Sequence, residues 1–291
     1  MTPRIFDRSL LRLRRQRAMQ RPLAGSDFLL RHVAADISLR LQPVQREFAL
    51  ALDVLSPTSQ IADALRQSGK VSEVVRMDMA SAAFHADQRL AVIGDDETPP
   101  FAPQTVNLIV SALSLQAVND VPGTLAQFRR MLKEDGLFIA VTLGAATLGE
   151  LRHALAQAES EMLGGVSPRV APFVDVRDMG SLLQRAGFAL PVCDSDTLTV
   201  RYPHVLALMA DLRAMAATNI LEERRRTSPG RRFFLRVAEI YAARFADPDG
   251  RIRASFELVW ALGWAPHDSQ QKPLKPGSAQ MRLAEALKHS R

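Results

Sequence analysis

The chain has 291 residues, 47% hydrophobic and 23% charged, a balance that excludes a disordered chain and allows one large domain with elaborations. Its single cysteine, Cys193, excludes an internal disulfide and a cysteine-based zinc site, and fits a reducing compartment. The formal net charge of +6 is mildly basic, and no apolar run is long enough to cross a bilayer.

From Phe6 to Leu41 the apolar spacing predicts helix, broken at Arg21-Pro22. Arg4, Arg8, Arg12, Arg14, Arg15, Arg17 and Arg21 face only one acid there, Asp7. The stretch resembles a targeting peptide, but Ile5, Phe6, Leu10 and Leu13 recur at helical spacing and no Ser-rich zone follows, so it reads as part of the mature protein. Ser26 or Asp27 is expected to cap the second helix, and Pro43 closes the segment.

Short apolar runs then alternate with amphipathic stretches. Strands are expected at Phe48–Val54, Val71–Met77, Leu90–Ile93, Val106–Val110 and Leu137–Leu143, helices at Ile61–Gln67 and Ala117–Leu132, and a turn at Lys133–Gly136. Strand–helix repetition of this kind predicts an α/β, Rossmann-like fold, a mostly parallel twisted sheet covered on both faces. Beyond Gly144, helices are expected at Thr147–Leu163, Val176–Ala186, Pro203–Thr218 and Arg231–Phe245, with strands at Leu190–Val200 and Ile252–Trp264. The organisation expected is an N-terminal helical segment over 1–45 and a main domain over 46–291, with a helical insert at about 203–246 and an irregular tail at about 271–279. On the last strand Phe256, Trp260 and Trp264 share a face by even spacing, which favours core packing.

Three successive strands end in acids: Asp53, Asp78 and Asp95-Asp96. Open α/β sheets bind ligands at the carboxyl ends of their strands. An acid after the second strand suits a ribose, and one after the third suits an adenine amino group. An acid after the first suits a loop or an amino-acid moiety. The competing reading makes each carboxylate a helix cap.

Other chemistries find less support. The histidines are His32, His85, His153, His204, His267 and His289, and no metal is predicted from them. There is no Gly-x-Ser-x-Gly elbow and no phosphate-binding Gly-x-x-x-x-Gly-Lys loop. A second basic cluster is Arg224, Arg225, Arg226, Arg231 and Arg232; few aromatics lie near the two clusters, and no zinc-finger or RNP signature occurs, so nucleic acid is not an expected partner.

The run Ala-Leu-Asp-Val54, Asp78, Gly-Asp-Asp-Glu97 with Pro100-Phe101, Ser111-Ala-Leu-Ser-Leu-Gln-Ala-Val-Asn-Asp120 and Leu132-Lys-Glu-Asp-Gly136 resembles the cofactor half of a class I S-adenosylmethionine methyltransferase. More specific motifs narrow the resemblance: Phe6-Asp7-Arg8, Thr147-Leu-Gly-Glu-Leu-Arg152, Gly165-Val-Ser-Pro168, Ala171-Pro-Phe173, Leu183-Gln-Arg-Ala-Gly-Phe188, Gly263-Trp264, His267-Asp-Ser-Gln270 and Pro276-Gly-Ser-Ala279. They are similar to the branch of the mitochondrial complex I assembly factor with an arginine-hydroxylase role and its bacterial relatives, a sister of the biotin-synthesis malonyl-carrier-protein methyltransferases. The resemblance implies S-adenosylmethionine as cofactor, with Asp53, Asp78, Asp95, Asp96 and Ser111 at its site. It also implies a respiratory-complex subunit as protein partner and a cytoplasmic location in a bacterium, with peripheral contact at the inner face of the membrane. No motif identifies a catalytic residue.

The chain departs from that family in its first loop. Where the family reads Asp-Leu-Gly-Cys-Gly-x-Gly, this chain reads Asp53-Val-Leu-Ser-Pro-Thr-Ser59, with spacing to Asp78 preserved. Glycine permits positive φ and close ligand approach, whereas Leu55 adds a branched side chain and Pro57 removes an N–H. Gly144-Ala-Ala-Thr-Leu148 lacks the family's carboxylate, and Gln116 stands where relatives carry a histidine. Two functions are therefore expected in competition. One is a methyltransferase or arginine-modifying enzyme on a protein substrate. The other, preferred, is a pseudoenzyme assembly factor with a degenerate cofactor loop, its Arg-rich helices docking on an acidic subunit or the membrane surface.

Overall fold

The structure, a computed structural model, describes residues 4–84 and 90–271. Two helices come first, α1 (Arg8–Gln20) and α2 (Phe28–Leu41). The alternating body follows: β1 (Phe48–Val54), α3 (Gln60–Gln67), β2 (Val71–Asp78), β3 (Ala91–Ile93), β4 (Val106–Ala112), α4 (Val121–Met131) and β5 (Leu132–Leu143). Then come α5 (Gly149–Leu163), α6 (Val176–Arg185), β6 (Ala189–Tyr202), α7 (Val205–Ala214), α8 (Arg231–Phe245) and β7 (Ile252–Trp264).

Among the described residues the strands form one seven-stranded sheet in the order β3-β2-β1-β4-β5-β7-β6. Pairs from β3 through β5 are parallel, and β7 runs antiparallel to both β5 and β6. The mostly parallel, Rossmann-like sheet expected from the alternation is what forms. Its strand order reverses between β1 and β4, so the crevice beyond their carboxyl ends is where an open α/β sheet binds ligands.

The central strands are apolar on both faces because both faces are covered. On one face Ala51, Leu108, Val141, Phe256 and Trp260 pack with Ile37 of α2 and Ile61 of α3. On the other, Leu52, Ile109 and Phe138 pack with Leu11 of α1, Phe128 of α4 and Leu183 of α6. Phe256 and Trp260 are fully buried, as their shared strand face requires.

Three local expectations need correction. Asp27 precedes α2 but makes no capping bond, because its carboxylate is held by Arg31 at 2.5 Å and by Gln60 of α3, and Ser26 donates to the Leu23 carbonyl instead. The helix expected from Ala117 begins only at Val121, where Asp120 accepts from the Gly123 amide and Pro122 fits the first turn. Lys133–Gly136 is not a separate turn: β5 runs through it with a register shift against β4, and Asp135 takes φ 60°. The tail motif Pro276–Ala279 lies outside the described residues.

The N-terminus is tied to the segment after α7. Phe6 bridges Leu221, the Asp7 amide donates to the Ile220 carbonyl at 2.8 Å, and the Asp7 carboxylate both caps α1 and pairs with Arg224 at 3.0 Å. This anchoring lays α1 across the carboxyl end of the sheet.

Candidate functional site

Each strand-end acid lies where the strand pattern places it, and each is already engaged by the chain itself. At the end of β2, Asp78 is fully buried and pairs with Arg15 of α1. The same carboxylate accepts from the Ala80 amide at 2.8 Å, and the same guanidinium donates to the Leu55 carbonyl at 2.7 Å. One arginine therefore closes the ribose-type acid and fastens the loop after β1.

After β3, Arg8 takes the second pair of acids. Its Nη2 contacts Asp95 Oδ1 at 2.6 Å and also Asp96, while Nη1 donates to the Ala117 carbonyl at 3.0 Å. Asp96 is fully buried, and burial pushes its carboxyl up to about 7 against the pull of Arg8. Asp95 is also raised by burial, but Arg8 and the Glu97 amide outweigh that and hold it below the usual carboxylate range.

At the end of β1, Asp53 accepts from Ser56 Oγ at 2.5 Å and lies 3.6 Å from Arg76 Nε. Complete burial pushes Asp53 up to about 7, with Ser56 and Arg76 acting in the opposite direction. Ser111 of β4 shares a 2.7 Å hydrogen bond with Ser114, both buried.

The loop after β1 keeps the left-handed geometry of a glycine without the glycine. Leu55 takes φ 56°, its amide donates to the Met77 carbonyl at 2.7 Å, and its side chain is buried in the sheet's second apolar cluster. A left-handed conformation costs a branched residue about 1–2 kcal/mol, offset here by burial. No glycine face is left for a ligand to approach, and Pro57 offers no N–H. Of the acids that would read a ribose or an adenine, Asp78 and Asp96 are buried against Arg15 and Arg8, and Asp95 is paired with Arg8 while partly exposed.

The neighbouring departures also have partners. Beside residues 144–148, Glu257 of β7 accepts from the Ala146 amide at 2.8 Å. Gln116 donates to the Leu113 carbonyl at 2.6 Å and accepts from Thr142 at 3.1 Å, a structural pairing that leaves no base at that position. Cys193 on β6 is pushed up to about 11 by burial and then by Asp194, so its thiolate is not available near neutral pH. His267 lies exposed against Ser269 at 2.7 Å. The structure also gathers His32 and Asp36 of α2 with Asp196 of β6, at 3.9 and 3.8 Å from the imidazole. Linear spacing could not show that group, because its third member comes from a distant strand.

Beside the acids lies a cavity of about 1250 Å³. Its floor is formed by Leu55, Leu113 and Leu143 at the carboxyl ends of β1, β4 and β5, and its walls by α1, α2, α5 and the helices between β6 and β7. What the sequence did not reveal is the partnership of Arg8 and Arg15 with these acids. The signal available was their seven-residue spacing, which puts both on one face of α1. Arg12 and Arg17 on the same helix are exposed, so the basic helix divides into an inward and an outward set.

Residues 52–140 match the methyltransferase domain family. Along 98% of its length the chain is 37% identical to the arginine-hydroxylase NDUFAF5, mitochondrial, of Danio rerio, covering 90% of that protein. It is 35% identical to the malonyl-[acyl-carrier protein] O-methyltransferase of Xylella fastidiosa over 74% of this chain and 73% of the relative. Among solved structures, BH2331 of Bacillus halodurans, described as a methyltransferase, superposes with a TM-score of 0.55 at 16% identity, covering 80% of this chain and 99% of that one. That likeness shows the fold. The near full-length identity shows the family, and the chain belongs to that of the arginine-hydroxylase NDUFAF5 proteins, built on a class I methyltransferase fold.

Proposed function

We propose that this protein is a non-catalytic assembly factor for respiratory complex I, a methyltransferase-like pseudoenzyme that works by binding a protein partner. The observation that carries the reading is the Arg15–Asp78 pair: the carboxylate suited to a ribose is fully buried against the chain's own guanidinium. Displacing Arg15 would leave one buried charge without its partner, a cost of several kcal/mol that cofactor binding would have to overcome. The full-length likeness to NDUFAF5 proteins supports the assembly role.

Partner contact is assigned to the outward arginines. Arg12 and Arg17 of α1 and Arg225, Arg226, Arg231 and Arg232 near α8 are exposed, a set suited to an acidic subunit or an anionic membrane surface. No helix among the described residues is long and apolar enough to span a membrane. A cytoplasmic site of action at the inner membrane face is part of this proposal.

The second reading is an active S-adenosylmethionine-dependent or arginine-modifying enzyme, favoured by the relatives' names and by the cavity at the strand ends. Calorimetric titration of S-adenosylmethionine into the purified protein separates the two. The expected result is no detectable heat of binding from a folded sample. Micromolar affinity would overturn the pseudoenzyme reading.

A further inference from the structure

The cavity at the strand ends has a charge balance that says what it can hold. Its walls are largely apolar, with Leu23, Phe173, Met209, Leu212, Phe234 and Phe256 among them. Its size, about 1250 Å³, exceeds the roughly 300–1000 Å³ of ordinary small-molecule pockets. A space of that kind suits a long apolar body better than a compact polar one.

Two acids line it, and both are taken. Asp27 is held by Arg31 and Gln60, and Asp63 pairs with Arg66 at 3.0 Å. Five arginines line it, and three stand beside internal carboxylates: Arg15 with Asp78, Arg169 with Glu159 at 2.7 Å, and Arg76 at 3.6 Å from Asp53. Arg14 and Arg213 form no carboxylate pair among the described residues. Arg14 donates to the Asn219 carbonyl at 2.5 Å, and the nearby acid Asp7 is itself bound by Arg224. Burial, then the neighbouring Arg224, holds the Arg14 guanidinium below its ordinary value, as expected of a cation short of a counter-charge.

We infer that the cavity is a binding site for an amphipathic anion, a long-chain carboxylate whose apolar tail lies against the wall while its head meets Arg14. An arginine side chain, a cation, is the opposite of what this lining favours. The inference rests on the reading that S-adenosylmethionine does not occupy the strand ends, and it can be tested separately from that reading.

Laurate is titrated into the full-length protein by calorimetry, beside dodecanol, dodecyltrimethylammonium and acetate. Saturable binding of laurate is expected, with the cationic amphiphile weaker by about tenfold or more and acetate silent. Arg14→Gln should weaken laurate by about tenfold and leave dodecanol unchanged. Arg14→Met, uncharged and of similar length, provides the second variant should the first fail to fold, and should weaken laurate in the same direction. Absence of laurate binding, equal binding of both charged amphiphiles, or laurate affinity untouched in the folded variant overturns the inference. S-adenosylmethionine is run in the same series. Its binding without displacing laurate would sink the pseudoenzyme reading alone, whereas binding that displaces laurate would sink both.

Discussion

Arg15 and Asp78 come from segments 63 residues apart and meet in the interior, where one guanidinium neutralises the β2 carboxylate and also holds the Leu55 carbonyl at 2.7 Å. Because the pair is buried, removing one partner leaves a charge without compensation. Arg15→Met is expected to lower the unfolding free energy by about 3–5 kcal/mol, and Arg15→Met combined with Asp78→Leu to recover most of that loss. Urea unfolding of the single and double variants measures it. A double variant no more stable than Arg15→Met would show that the pair is not the source.

Asp53 gives a pH dependence of definite sign. Its folded carboxyl titrates at about 7, above the unfolded value near 4, so the folded state holds the proton through that window. The stabilisation is complete below the unfolded value and is lost as the pH rises through about 7. Unfolding free energy should therefore fall between about pH 4 and about pH 7, with Asp96 contributing in the same direction, and Asp53→Asn should remove part of that slope. An unchanged slope in Asp53→Asn would place Asp53 in its charged form.

Restoring glycine to the loop should not restore a cofactor site. Leu55→Gly relieves a left-handed strain of about 1–2 kcal/mol but removes a fully buried leucine worth about 2–5 kcal/mol, so a net loss of about 1–3 kcal/mol is expected in guanidinium unfolding. Leu55→Gly with Pro57→Gly should still show no S-adenosylmethionine binding by calorimetry, because Arg15 continues to occupy Asp78. Binding gained from the glycines alone would make the loop, and not the arginine, the obstacle.

Gly144 and Glu257 are matched in space. A Cβ on Gly144 would stand 2.5 Å from the Glu257 carboxylate, which the Ala146 amide holds in place. Gly144→Ala should cost about 1–3 kcal/mol by thermal unfolding, and Glu257→Ala in the same chain should remove most of the clash. If the two costs simply add, the side chains do not interact as described.

Much of this fold is written in local pattern. The short apolar run from Phe48 to Val54 reads as a strand, and apolar–polar alternation that turns mostly apolar sets β7 at Ile252–Trp264. Spacing likewise put Asp53, Asp78, Asp95 and Asp96 at strand ends, because a carboxylate after an apolar run falls at the sheet's carboxyl edge. Which groups face those acids is another matter. Arg8 and Arg15 read as surface charge in a basic helix, and their inward turn depends on the bridge from Phe6 to Leu221 that lays α1 over the sheet. Leu55 likewise announces a lost glycine, while its left-handed φ and the burial that offsets it exist only once β2 and α1 are packed around it. Periodicity acts over a few residues and so determined the elements and their ends. Charge pairing acts through space between segments far apart in the chain, so tertiary packing alone decided that the strand-end acids Asp78 and Asp96 are paired with arginines of α1.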